Sequence, residues 1–136
     1  MDEPMDRRRI LIDTSILIDH LRRKDKNRTA FYRAAQSYEC AVSAITEFEF
    51  RIGATAANRD FVAELLNTTP VMPFDSTCVR SATDIYRNLK AINGLIALPD
   101  LFIAATAVAF ELPLLTLNLS HFERVDALTV LDSATV

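Results

Sequence analysis

A chain of 136 residues, half of them hydrophobic and 24% charged, has the size and composition of one globular domain and is too apolar to remain disordered. Its net charge of −3 argues against a broad nonspecific nucleic-acid platform, although a site built from carboxylates lowers the net charge by itself. The longest stretch free of Asp, Glu, Lys and Arg, residues 112–122, is far shorter than the ~18 apolar residues of a membrane span, and the charged start is not a secretory signal, so a cytoplasmic protein with no membrane partner is expected.

The strand and helix signals alternate. Residues 9–12 read as a short buried strand that stops at Asp13-Thr14-Ser15, a polar tripeptide able to cap a helix over 16–22. A polar helix is expected over 27–37, a strand over 40–43, and helices over 44–54 and 58–67. Pro70 and Pro73 bracket a strand over 71–74. Asp75 or Ser76 then caps a long amphipathic helix that reaches Ile92 and stops at Asn93-Gly94. Pro99 suits the first turn of a helix over 100–110 that is apolar on nearly every side and therefore buried. Strands over 114–117 and 129–131 complete the series. Short apolar strands alternating with helices predict an α/β fold of three layers, α/β/α, around a mostly parallel sheet of four to five strands.

Several chemistries are poorly served. Cys40, Cys78, His20 and His121 have none of the spacings of a zinc site, and the two cysteines are expected to be buried, reduced thiols. Gly53 and Gly94 are the only glycines, too few for a phosphate-cradling loop. An Asp nucleophile at position 13 would want a second Asp two residues on in a haloacid-type phosphatase, where Ser15 stands, and a late Lys in a receiver, where Thr116-Leu117-Asn118 offers none. Arg7, Arg8 and Arg9, and then Arg22, Arg23, Lys24, Lys26 and Arg28, form basic clusters that read equally well as solvated faces or as a substrate track.

Three acids stand out. Asp13 follows an apolar strand directly, and in open α/β sheets ligands bind beyond the carboxyl ends of strands. On the helix over 44–54, Glu49 shares a face with Ile45, Phe48 and Ile52, which places it in the expected inward stripe, while Glu47 pairs outward with Arg51. Asp100 and Glu111 are the only charges between Leu95 and Leu117, and Asp100 falls in the first turn of its helix. Singly, each acid has a plain alternative in a cap or an ion pair. Gathered in one cleft, they would repel one another unless cations lay between them, and hard oxygen donors suit Mg²⁺ or Mn²⁺.

Four segments in order carry a family resemblance. Ile10-Leu11-Ile12-Asp13-Thr14-Ser15 resembles the opening of PIN-domain ribonucleases, and Thr46, Glu49 and Gly53 follow the spacing of their second motif, which selects Glu49 over Glu47. Pro99-Asp100 leading an Ala-rich helix resembles the third motif, and Thr116-Leu117-Asn118 with Phe122 resembles the fourth. The subgroup it is most similar to is the VapC-type toxins of prokaryotic toxin–antitoxin modules. The resemblance implies a PIN-like domain over 1–136, with 1–8 a flexible basic extension. It also implies an endoribonuclease that needs a divalent metal, RNA as substrate, a homodimer and a cognate antitoxin. In that reading Asp13, Glu49 and Asp100 hold Mg²⁺ or Mn²⁺, Asn118 positions water or phosphate, and the hydroxyls of Thr14, Ser15 and Thr116 steady the carboxylates. Asn118 stands where many relatives have Asp, which weakens a second metal site, and His121 is assigned no role. The apolar side chains of Leu17, Leu21 and Phe50 read equally well as contact surface for a protein partner or as packing within the monomer. An RNA-processing nuclease without an antitoxin, or a degenerate binding module, is the alternative.

Overall fold

Period-two alternation in the apolar runs splits the core into two layers. A computed structural model describes residues 7–136, so residues 1–6 of the expected basic extension lie outside the described residues. Arg7 and Arg8 are exposed, but the Arg8 carbonyl already accepts from the Glu39 amide at 2.9 Å, so the chain is tied to the sheet one residue before β1. The strands are β1 (Arg9–Ile12), β2 (Glu39–Ser43), β3 (Val71–Met72), β4 (Leu114–Thr116) and β5 (Val130–Asp132). They form one parallel sheet in the order β3-β2-β1-β4-β5. Ile10 lies opposite Cys40, and Leu11 lies between Ala41 and Leu114.

Leu11, Ala41 and Leu114 point into one layer, against α5 (Ser76–Ala91), α6 (Leu98–Ala109) and α7 (Leu119–Phe122). Ile10, Ile12, Cys40, Val42 and Leu115 point into the other, against α1 (Thr14–Arg22), α2 (Ala30–Ala35), α3 (Ala44–Ile52) and α4 (Arg59–Asn67). The three-layer arrangement follows from burying both faces of a parallel sheet, each full burial of a Leu or Ile contributing about 1.5–3 kcal/mol. Cys40 and Cys78 are buried and unbonded, and burial pushes the Cys40 thiol up to about 11.

The elements depart from the sequence expectation in several places, and α1 begins at Thr14, two residues early. The polar helix over 27–37 is broken at Thr29, whose extended backbone ends a 3₁₀ turn and whose hydroxyl caps α2 by accepting from the Tyr32 amide at 3.1 Å. The strand expected over 71–74 is only two residues long. α6 begins at Leu98, two residues early, with Pro99 in its first turn. α7 is a helix that sequence periodicity does not announce. The expected stop at Asn93-Gly94 takes the form of a Schellman turn: Asn93 adopts φ 57°, and the Gly94 amide reaches back to the Leu89 carbonyl at 2.8 Å.

One member of the second basic cluster is structural. Lys26 Nζ donates to the carbonyls of His20 (2.8 Å), Leu21 (2.7 Å) and Arg23 (2.7 Å), satisfying the end of α1 with a cation where the helix dipole favours one. Beside it, buried His20 has Nδ1 2.7 Å from Thr29 Oγ1 and packs on Phe31. Burial, and then the Lys26 charge, hold His20 below its ordinary value of 6.5, with Asp19 opposing. The unfolded chain therefore takes up this proton at higher pH than the folded one, and this contribution to stability declines as pH falls through 6.5. His20→Asn, which keeps a nitrogen toward Thr29 but cannot titrate, is expected to flatten the fall of the urea midpoint between pH 7 and 5.5. An unchanged slope would show that other groups set it.

Candidate active site

The chain turns from one side of β1 to the other between β1 and β4, the place where a parallel sheet opens a crevice at its carboxyl edge. Asp13 follows β1 at that edge, Thr116 ends β4 beside it, and Asn118 comes two residues later, just before α7. Asp13 occupies the position before α1, but its side chain makes no capping bond to the helix. Its Oδ2 instead accepts from Ser15 Oγ at 2.7 Å and from Thr116 Oγ1 at 2.8 Å. Those hydroxyls are themselves fixed: Ser15 Oγ accepts from the Leu117 amide at 3.1 Å, and Thr116 Oγ1 from the Asn118 amide at 2.9 Å. The simple capping role is thereby removed, and a buried carboxylate is locked at the crevice.

Glu49 is held from the neighbouring strand's helix. Thr14 Oγ1 donates to Glu49 Oε1 at 2.7 Å and lies 2.9 Å from Thr46 Oγ1. Thr46 is fully buried, and its amide is capped by Ser43 Oγ at 3.0 Å. The inward stripe expected for α3 is wrong. The helix buries Thr46 and Phe50, while Phe48 and Ile52 are 61% and 67% exposed and Ile45 is half-buried. Ser43 sets the helix start, and the hydroxyl contact between Thr14 and Thr46 sets its rotation, so Glu49 lies on the flank of the buried face beside Thr46. Glu47 pairs with Arg51 at 2.9 Å on the outer side, as expected. Of the two readings of Leu17 and Phe50, packing within the monomer holds, since both are core residues, and Leu21 is half-buried.

Asp100 in the first turn of α6 has a partner that the sequence did not suggest: His121 Nδ1 lies 3.1 Å from its Oδ2. Burial, and next the charge of Asp13, push the Asp100 carboxyl above the ordinary carboxylate range, while the hydrogen bond and charge of His121 pull it back. That repulsion places Asp13 and Asp100 in one electrostatic neighbourhood although they lie far apart in the chain.

The three acids share a pattern. Each has one oxygen held by a named donor: Asp13 by Ser15 and Thr116, Glu49 by Thr14, Asp100 by His121. Among the described residues, no donor reaches the other oxygen of any of them and none is paired with Arg or Lys. No buried side-chain oxygen or nitrogen lacks a partner among those residues, so the free oxygens reach solvent. A carboxylate tethered on one oxygen and open on the other is the usual state of a ligand to a hard cation. Among the described residues no three His, Cys, Asp or Glu side chains are drawn close enough to surround one ion. The donor chemistry fits a divalent cation, with water completing its shell.

Asn118 has an exposed side chain and borders a groove of about 440 Å³ with Ser15, Ile18, Asp19, Arg22, Arg23 and Leu117. Two cations of the second basic cluster thus line the approach to the crevice. Sequence reasoning missed Thr46 and His121. The first was signalled by its position three residues before Glu49 on one helix, the second only by its place beside the apolar Phe122.

The family profile of the PIN domain matches residues 10–128. This chain is a PIN-domain protein. It is 35% identical over 113 residues to Ribonuclease VapC10 of Mycobacterium tuberculosis, covering 83% of this chain and 85% of that one. It is 33% identical over 117 residues to Ribonuclease VapC1 of Methanocaldococcus jannaschii, covering 85% and 80%. In fold the PIN domain is similar to a chain of DNA-bound VapBC from Salmonella typhimurium (TM-score 0.82, 22% identity, 93% and 98% covered). It is likewise similar to one of a toxin–antitoxin complex from Klebsiella pneumoniae (TM-score 0.73, 24% identity, 91% and 97% covered). No described helix is long and apolar enough to cross a membrane.

Proposed function

We propose that this PIN domain is an endoribonuclease that depends on Mg²⁺ or Mn²⁺ and acts as the toxin of a toxin–antitoxin pair. The observation that carries the reading is that Asp13, Glu49 and Asp100 each have one oxygen held by a neighbouring side chain and the other left open, with no Arg or Lys paired with any of them among the described residues. Asp13, Glu49 and Asp100 would hold the cation, directly or through water. When bound, such an ion acidifies water and offsets the charge that builds on phosphate oxygens during in-line displacement.

The chain's own groups do the rest. Ser15, Thr116 and Thr14 keep the Asp13 and Glu49 carboxylates from swinging into other rotamers, which holds each ready for a cation. The Asn118 side chain, unbonded among the described residues, is free to donate to a phosphate oxygen or orient water. Arg22 and Arg23 line the adjoining groove, where they would neutralise backbone phosphates of an extended RNA. The relatives named as ribonucleases, and the toxin–antitoxin complexes of the same fold, support RNA as substrate and an antitoxin as partner. An antitoxin that placed a basic side chain among the open carboxylate oxygens would block the site. A homodimer under cytoplasmic conditions belongs to the same reading.

The test is cleavage of total RNA by the purified chain. Cleavage is expected with Mg²⁺ or Mn²⁺, abolished by EDTA and restored by excess metal. Cleavage that persists in EDTA would overturn the metal dependence. RNA binding without cleavage in either metal would favour the degenerate binding module.

A further inference from the structure

The role left open by the site as described is that of His121. α7 is four residues long, and its neighbour in sequence, Phe122, is fully buried in the layer that includes α6. The backbone that carries His121 is therefore fixed although the ring itself is half exposed. Its Nδ1 meets Asp100 Oδ2 at 3.1 Å, and this is the only donor that reaches Asp100 among the described residues. Asp13 and Glu49 each have hydroxyls for this purpose, whereas Asp100, in the first turn of α6, has no hydroxyl partner among the described residues.

We propose that His121 is the positioning residue for Asp100, its Nδ1 turning that carboxylate so that the free oxygen faces the Asp13 side of the crevice. The proposal rests on the metal-site reading above. Without the ring, no side chain among the described residues fixes the Asp100 carboxylate, and its free oxygen is no longer held ready for the cation. A plain surface ion pair that merely pins α7 would instead affect folding and leave the metal site unchanged.

Manganese binding to the RNA-free chain, followed by loss of the free-ion electron paramagnetic signal, separates these roles. His121→Ala is expected to weaken Mn²⁺ binding about 10-fold, the lower end for removal of a group that orients a ligand, with an unchanged urea midpoint. His121→Asn, whose side-chain nitrogen can take the place of Nδ1, is expected to restore most of the affinity. His121→Gln, with its nitrogen one bond farther out, is expected to restore less. Wild-type affinity in His121→Ala, or equal weakening in the Ala and Asn variants, would overturn the positioning role. Asp100→Asn is the control: if it weakens Mn²⁺ binding and His121→Ala does not, only the role of His121 falls. A wild-type chain that binds no Mn²⁺ sinks the metal reading and this proposal together.

Discussion

Asp13→Asn is expected to lower RNA cleavage by at least about 10³-fold while the protein remains folded. The loss follows from removing one charge from a cation site, since the several kcal/mol of charge stabilisation a bound metal supplies corresponds to about three decades of rate at roughly 1.4 kcal/mol per decade. The fold is expected to survive because the amide oxygen can still accept from Ser15 and Thr116, the two contacts that lock this side chain. The amide nitrogen then faces the crevice in place of the open oxygen. The substitution also removes the charge that pushes Asp100 upward, so the metal-free protein loses a repulsion when it loses the site. The measurement is a cleavage time course in Mg²⁺ alongside a urea unfolding curve. Activity within tenfold of wild type in a folded Asp13→Asn protein would show that catalysis does not depend on this carboxylate. A variant that unfolds would show instead that Asp13 is held for structure.

What could be read from the sequence divides along physical lines. Short apolar runs bounded by polar residues identify strands because both faces of a parallel sheet are buried. That made β1, β2 and β4 legible, together with the acid that ends β1. The choice of Glu49 over Glu47 was also legible, but one of its two arguments failed. Helical periodicity assumes that apolar residues define the inward face, and in α3 they do not. Thr46 is fully buried and Ile52 mostly exposed because the helix is rotated to bring a hydroxyl against Thr14, a contact from another helix. The motif spacing that resembles the PIN family carried that information where amphipathicity could not. The basic run from Arg22 to Arg28 likewise conceals two roles. Lys26 closes the end of α1, while Arg22 and Arg23 line the groove, and only the path of the chain after the helix distinguishes them. His121 was beyond the sequence for a third reason. A single helical turn has no period to detect, and its contact with Asp100 joins residues 21 apart through the packing of α6 against α7.

That packing depends on one side chain, which sets the second large expectation. Phe122→Ala is expected to destabilise the protein by about 3–5 kcal/mol, the range for truncating a fully buried Phe. Against the roughly 5–15 kcal/mol that holds a typical domain folded, this is a large share, and a strongly reduced urea midpoint should result. No compensation is available nearby. α7 has no side-chain cap, Asn118 contributing only its amide to Thr116, and a four-residue helix has little stability of its own. The ring belongs to the core cluster that also holds buried residues of α5 and α6 and Leu114 of β4, so its loss opens a cavity on the side of the sheet that carries Asp100. Ile52→Ala provides the contrast, because it also removes an apolar side chain, on the helix that carries Glu49, but one that is 67% exposed. It should change stability by no more than about 0.5 kcal/mol. If Ile52→Ala proved as costly as Phe122→Ala, α3 would have to be turned as amphipathicity first suggested, and the Thr14–Glu49 bond that depends on its present rotation would be lost.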